Sequence, residues 1–226
     1  MSTKDSNAPE ADPEGSFEAR VDAATAMRRL SHAMVGHSID PEVLEVVATE
    51  ANRLAARLEA TPLRDRMDAA TGQSAFARPE GEEPFADAVS GDGVDLFHDS
   101  PVSGSTNPMS IGLKYHRDGD DVVGEVTLGP AFEGAPGRSH GGMLASCIDE
   151  TMGALLPTLE VMAFTGKLNV TYRAPAPIGV PIEFRASLRE RSGRKLTIDC
   201  VGTSEEGVFI TADALFIAID PDSFAL

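Results

Sequence analysis

Between His140 and Thr165 the chain places residues that could stabilise an oxyanion and deliver a carboxylate. Gly141 and Gly142 open an apolar run, HGGMLASCIDETMGALLP, that is too long for a typical strand and ends at a proline, so it reads as a helix. Glycines at a helix start let a ligand approach the backbone closely. First-turn N–H groups lack intrahelical partners, and the helix dipole adds positive character, so together they suit an oxyanion. A tight loop-to-helix junction is the plain alternative. Asp149 lies nine positions after His140, with Ala145, Met152 and Gly153 as helical neighbours. A carboxylate among small and apolar groups is costly unless paired or used. In use, it activates water as a general base or attacks directly; as a structural group, it bonds a strand side chain. Thr165, sixteen positions further on, starts the next strand-like run. Its hydroxyl could orient water or the Asp149 carboxylate, although threonine is also an ordinary strand residue. His140 either shapes the loop or contacts the substrate. Glu150 sits about 100° around the helix from Asp149 and cannot replace it without rotating the helix.

Spacing carries a second expectation. Gly141 and Asp149 are eight residues apart on one helix, about 12 Å along its axis. An oxyanion donor and an attacking group each sit about 3 Å from the reacting centre. One helix cannot supply both to the same centre, whereas two antiparallel copies can. A homodimer with shared sites is expected, with a dimer of dimers as the larger option.

The elements that must position these residues follow from periodicity. Residues 1–18 form an acidic tail without apolar pattern, expected to be disordered. Residues 19–61 form a helical extension with helices at about 19–37 and 41–61. In the second, Leu44, Val47, Ala51, Leu54 and Leu58 form one stripe, started by Asp40-Pro41. That stripe requires cover from the first helix, the C-terminal domain or another subunit. Residues 62–108 read as a linker or a cover over a site. From 109 to 226 the pattern is a hairpin around Asp118-Gly119, the apolar helix, then strands at Phe164–Arg173, Ile182–Arg189, Lys195–Val201 and Val208–Ile219 in a meander. A helix so apolar must be buried. The expected class is α+β: a curved antiparallel sheet wrapped around one central helix, the hotdog fold, with an N-terminal helical extension.

EGAPGRSHGGMLASCIDETMG followed by FTGKLNVTYRAPAPIG resembles the PaaI-like hotdog acyl-CoA thioesterases. Within them it is most similar to the branch with human thioesterase superfamily members 4 and 5, over roughly residues 100–220. The resemblance implies hydrolysis of acyl-CoA to free acid and CoA, with the N–H of Gly141 as main oxyanion donor. Some relatives carry an additional Asn donor six residues before the histidine; here that position is Gly134. The CoA thioester is then substrate and no cofactor is expected. A hotdog module that binds acyl-CoA as a regulator or assembly partner is the alternative.

Charge constrains the partners. Formal net charge is −17 with only 19 Lys+Arg, which argues against nucleic acid. A polyanion such as CoA needs a local basic cluster. Arg185, Arg189, Arg191, Arg194 and Lys195 make one, and Arg173 is a further candidate; a solvated hairpin is the plain reading. No apolar run approaches the ~20 residues of a membrane helix, so no insertion is expected. The two cysteines, Cys147 and Cys200, read as core residues in a reducing compartment, and the polar N-terminus has no signal or transit pattern; the cytoplasm is expected. The five histidines form no paired ligand motif, so no metal is expected. Gly137–Gly141 matches G-x-S-x-G, but no strand precedes Ser139 and no histidine follows His140, so a serine-hydrolase elbow is rejected.

Overall fold

The computed structural model describes residues 14–63 and 96–219, with side chains from Phe17 onward. Most of the expected acidic tail, residues 64–95 of the linker, and residues 220–226 lie outside the described residues.

Two helices lead the chain, α1 (Glu14–Gly36) and α2 (Pro41–Glu59). Helix α1 begins about five residues before the expected start, inside the segment read as tail. Helix α2 starts where expected: the Asp40 side chain accepts the N–H of Glu42 at 3.0 Å, and Pro41 occupies the first turn.

The C-terminal part contains β1 (Lys114–Asp118), β2 (Asp121–Thr127), α3 (Gly141–Leu155), β3 (Ala163–Tyr172), β4 (Pro181–Ser192), β5 (Lys195–Ser204) and β6 (Gly207–Ala218). All pairings are antiparallel, in the order β1-β2-β4-β5-β6-β3. The expected meander is therefore corrected. Strands β4 to β6 do follow one another, but β3 leaves its sequence neighbour β4 and pairs with β6 at the far edge. Two-residue turns set the β4–β5 and β5–β6 pairings locally, whereas the eight-residue connection from Arg173 to Val180 lets β4 pair with β2 instead.

The sheet curls around α3. The helix buries Leu144, Cys147, Ile148, Met152 and Leu155. Alternate strand positions, including Ile182, Phe184, Leu196, Ile198 and Phe216, point inward to meet them. Gly124 of β2 permits the closest approach: a Cβ there would lie 2.6 Å from Thr151 Oγ1. The buried Thr151 hydroxyl is satisfied by donating to the Cys147 carbonyl at 2.7 Å.

Residues 96–113 pack onto this core through Leu96, Val102, Ile111 and Leu113. Glu150, on the side of α3 away from Asp149, accepts hydrogen bonds from Ser100 and, at 2.8 Å, from Ser103. Residues 96–108 of the expected linker are thus tied to the central helix.

The two N-terminal helices differ. Helix α1 docks on the C-terminal part: Arg28 donates to the carbonyls of Ser105 and Asn107 at 3.1 and 2.7 Å, and His32 meets the 3-10 turn Pro130–Phe132. Helix α2, despite its better stripe, has no buried residue, and Leu58 is 71 % exposed. Neither α1 nor the C-terminal part covers that stripe among the described residues.

Candidate active site

The loop Glu133–His140 delivers the chain to α3. Its base is closed by the N–H of His140 donating to the Phe132 carbonyl at 2.9 Å and by a bridge between Glu133 and Ser139. The buried Ser139 donates its hydroxyl to the Pro177 carbonyl at 2.6 Å. That bond ties the loop to Pro177.

His140 caps α3. Its Nδ1 accepts the N–H of Gly142 at 3.0 Å, and its carbonyl accepts the N–H groups of Met143 and Leu144. Gly142, expected as an oxyanion donor, is therefore engaged in the cap. The N–H of Gly141 is bonded by no described residue. The cap also sets the histidine tautomer: a neutral ring that accepts at Nδ1 carries its proton on Nε2, as a donor facing away from the cap.

Tyr172, at the end of β3, donates from its hydroxyl to the Gly141 carbonyl at 2.9 Å. Its ring lies so close that a Cβ on Gly141 would meet it at 3.2 Å. Sequence reasoning passed over this residue, because a tyrosine at a strand end is common and the contact spans 31 positions.

Asp149 is half-buried, and its Oδ1 accepts the Thr165 hydroxyl at 2.9 Å. Of the alternatives left open for Thr165, contact with the Asp149 carboxylate is the one present. Register shifts between Thr165 and Lys167, a local irregularity next to the contact. Asp149 lies on an incompletely covered side of α3 with Gly142, Ala145, Ser146 and Gly153, rather than inside the core. Beside it runs β3, an edge strand of the sheet, with Phe164 53 % exposed.

The basic residues divide between two places. Lys195 is in register with Ile217, which pairs with Phe164, so Lys195 and the adjoining Arg194 belong to the Asp149 end. Arg194 donates to the Ala218 carbonyl at 2.8 Å. Arg173 follows Tyr172 at the Gly141 end and contacts Thr211 at 3.2 Å. Arg189 is held by both carboxylate oxygens of Asp199, and Arg185 by Asp118 and Asp121. Those acids raise the pKa of both guanidinium groups, and strand pairing rather than chain order brings them there.

Burial raises both cysteine thiols, Cys200 to about 12, so each packs as a neutral group. Burial also lowers the pKa of His32, which favours a neutral ring able to accept a hydrogen bond.

Residues 137–210 match the family model of the thioesterase superfamily. This part of the chain is similar to that superfamily. Over 93 residues, 40% of the chain, it is 38% identical to acyl-coenzyme A thioesterase THEM4 of Mus musculus and covers 40% of that protein. Over 110 residues, 48% of the chain, it is 36% identical to acyl-coenzyme A thioesterase THEM4 of Rattus norvegicus and covers 47% of it. The chain thus spans less than half the length of either relative. A crystal structure of a thioesterase superfamily protein aligns at a TM-score of 0.69 and 25% identity, over 88% of this chain and 94% of that one. That coverage exceeds the sheet and central helix alone, so the likeness to that structure reaches into the N-terminal extension.

Proposed function

We propose that the chain hydrolyses acyl-CoA thioesters, with Asp149 as the reacting carboxylate and the N–H of Gly141 as the oxyanion donor. The observation that carries the reading is the 2.9 Å bond from Thr165 to Asp149. It orients a carboxylate on the same helix that opens with an unengaged backbone donor, within the residues that match the thioesterase superfamily model. In the general-base route, Asp149 takes a proton from water as the water oxygen bonds to the thioester carbon. The carbonyl oxygen becomes negative opposite Gly141; the C–S bond then breaks, and CoA leaves as a thiolate that picks up a proton. In the nucleophilic route, Asp149 bonds that carbon first, CoA leaves, and water cleaves the resulting anhydride. Both routes require an ionised Asp149.

The site is shared between two copies in this reading. Eight residues of helix separate Gly141 from Asp149, about 12 Å, too far for one carbonyl. The half-covered side of α3 and the edge strand β3 support a side-by-side antiparallel pair that brings one copy's Gly141 to the other's Asp149. Arg173 from one copy, with Arg194 and Lys195 from the other, then lie on the same side as the reacting groups and can receive CoA phosphates. Arg189 contributes only if phosphate displaces Asp199. The buried, protonated cysteines fit a reducing compartment such as the cytoplasm.

Release of CoA from a panel of straight-chain and aromatic acyl-CoAs tests the activity; binding without release would indicate a non-catalytic module. Mixing Asp149→Asn with Gly141→Pro tests the sharing, since proline is tolerated at a first helical position and deletes the donor. Heterodimers regain one intact site in two, so a fully exchanged mixture recovers about a quarter of the wild-type rate. No recovery after exchange verified by mass spectrometry would refute the shared site.

A further inference from the structure

We infer that α1 is a working part of the site, with His32 as a positioning residue that braces the His140–Gly141 junction. The rate consequence rests on the thioester-hydrolase reading above; the brace itself does not.

Four observations converge. His32 Nδ1 accepts the N–H of Ala131 at 3.2 Å. Its ring meets Phe132 edge-on, with centroids 5.1 Å apart and planes at 80°. The Phe132 carbonyl in turn accepts the N–H of His140 at 2.9 Å, so one residue separates the α1 contact from the cap of α3. The surfaces are also fitted to each other. A Cβ on Gly129 would lie 2.6 Å from His32 Nδ1, and a Cβ on Gly36 would lie 3.0 Å from Pro130 Cγ.

The physical need is plain. Ala131 sits in the first turn of a 3-10 helix, where its N–H has no partner within the turn. His32 supplies that partner from a segment 99 positions away. One turn earlier on α1, Arg28 fastens the carbonyls of Ser105 and Asn107, in the same segment that Glu150 ties to α3. Helix α1 therefore braces both stretches of chain that approach the central helix. An oxyanion donor accelerates a reaction only when it is already aimed before the charge develops. A turn free to drift at Phe132 would let His140 and Gly141 drift with it.

The test compares three full-length proteins: wild type, His32→Phe and His32→Asn. Phenylalanine keeps the ring contact but deletes the acceptor. Asparagine places an amide oxygen near the Nδ1 position. Amide-resolved hydrogen exchange is the first readout. In His32→Phe, the N–H groups of Ala131 and His140 should exchange about tenfold faster or more, while β5 and β6 keep wild-type protection. The second readout is steady-state hydrolysis of the best acyl-CoA in the panel. The kcat of His32→Phe should fall about 10-fold to 100-fold, with KM within about twofold, as expected of a misaimed group. His32→Asn should restore both. Unchanged exchange at His140 in His32→Phe overturns the brace. Faster exchange with wild-type kcat overturns its catalytic consequence, and a fall in kcat that His32→Asn does not rescue does the same. If wild type releases no CoA from any acyl-CoA, the hydrolase reading fails, and the exchange result decides the brace by itself.

Discussion

At its N-terminal end, α3 is held largely through backbone groups: the His140 carbonyl and ring cap it, the Phe132 carbonyl holds the His140 N–H, and Tyr172 holds the Gly141 carbonyl. At Asp149, eight residues on, the proposed reacting atoms belong to a half-exposed side chain steered by one hydroxyl, that of Thr165. The donor end is preorganised by peptide groups, whose geometry has little freedom. The acid end keeps side-chain freedom in a single copy of the chain, and a second copy laid across it would remove that freedom. In the proposed mechanism, this difference would let the donor be a glycine with no side chain, while the carboxylate needs an orienting neighbour.

That contrast can be broken, beginning at the acid end. Asp149→Asn should leave the circular dichroism spectrum unchanged and lower kcat about 10²-fold to 10⁴-fold, with little change in KM. A well-folded variant with near-normal kcat would remove Asp149 from the chemistry. Thr165→Ala comes next. It leaves the carboxylate in place but unsteered, and kcat should fall about 10-fold to 100-fold. A loss as large as that of Asp149→Asn would make Thr165 a direct participant. At the donor end, Tyr172→Phe removes one hydrogen bond of about 0.5–1.5 kcal/mol while keeping the ring against Gly141, so the expected loss is about 2-fold to 10-fold. No loss would show that the cap alone suffices. The smallest effect belongs to α2. Leu54 is 45 % exposed, and Leu54→Asp should change stability by no more than about 0.5 kcal/mol in urea titration. A larger loss would reveal a cover over the stripe.

Local signals were legible in proportion to how locally they act. Asp40-Pro41 and Asp118-Gly119 set a helix start and a hairpin turn through contacts within a few residues, and the structure has both. The glycine pair and the apolar run marked the central helix, and the place of Thr165 at the start of the next strand left its bond to Asp149 as one of several options. The basic cluster misled because five cations close in sequence looked like one patch. Strand pairing places Asp199 opposite the Arg189 region and brings Asp118 and Asp121 to Arg185. The N-terminal helices misled in the opposite way. Periodicity marks apolar burial, and α2 has it without cover among the described residues. Helix α1 docks through a histidine ring, an arginine fork and close backbone contact at a glycine, none of which has a period.

By itself the sequence determined the strands, the central helix and the candidate residues at its start and its middle, because hydrophobic period, capping chemistry and turn residues act within about ten positions. The placement of β3 beside β6, the commitment of Gly142 to the His140 cap, the Tyr172 contact and the seating of α1 were decided by tertiary structure. Each depends on groups distant in sequence or on which of two equivalent N–H groups a ring can reach. Chain closure over tens of residues is only weakly dependent on length. No local pattern therefore names the partner; packing around α3 chooses it.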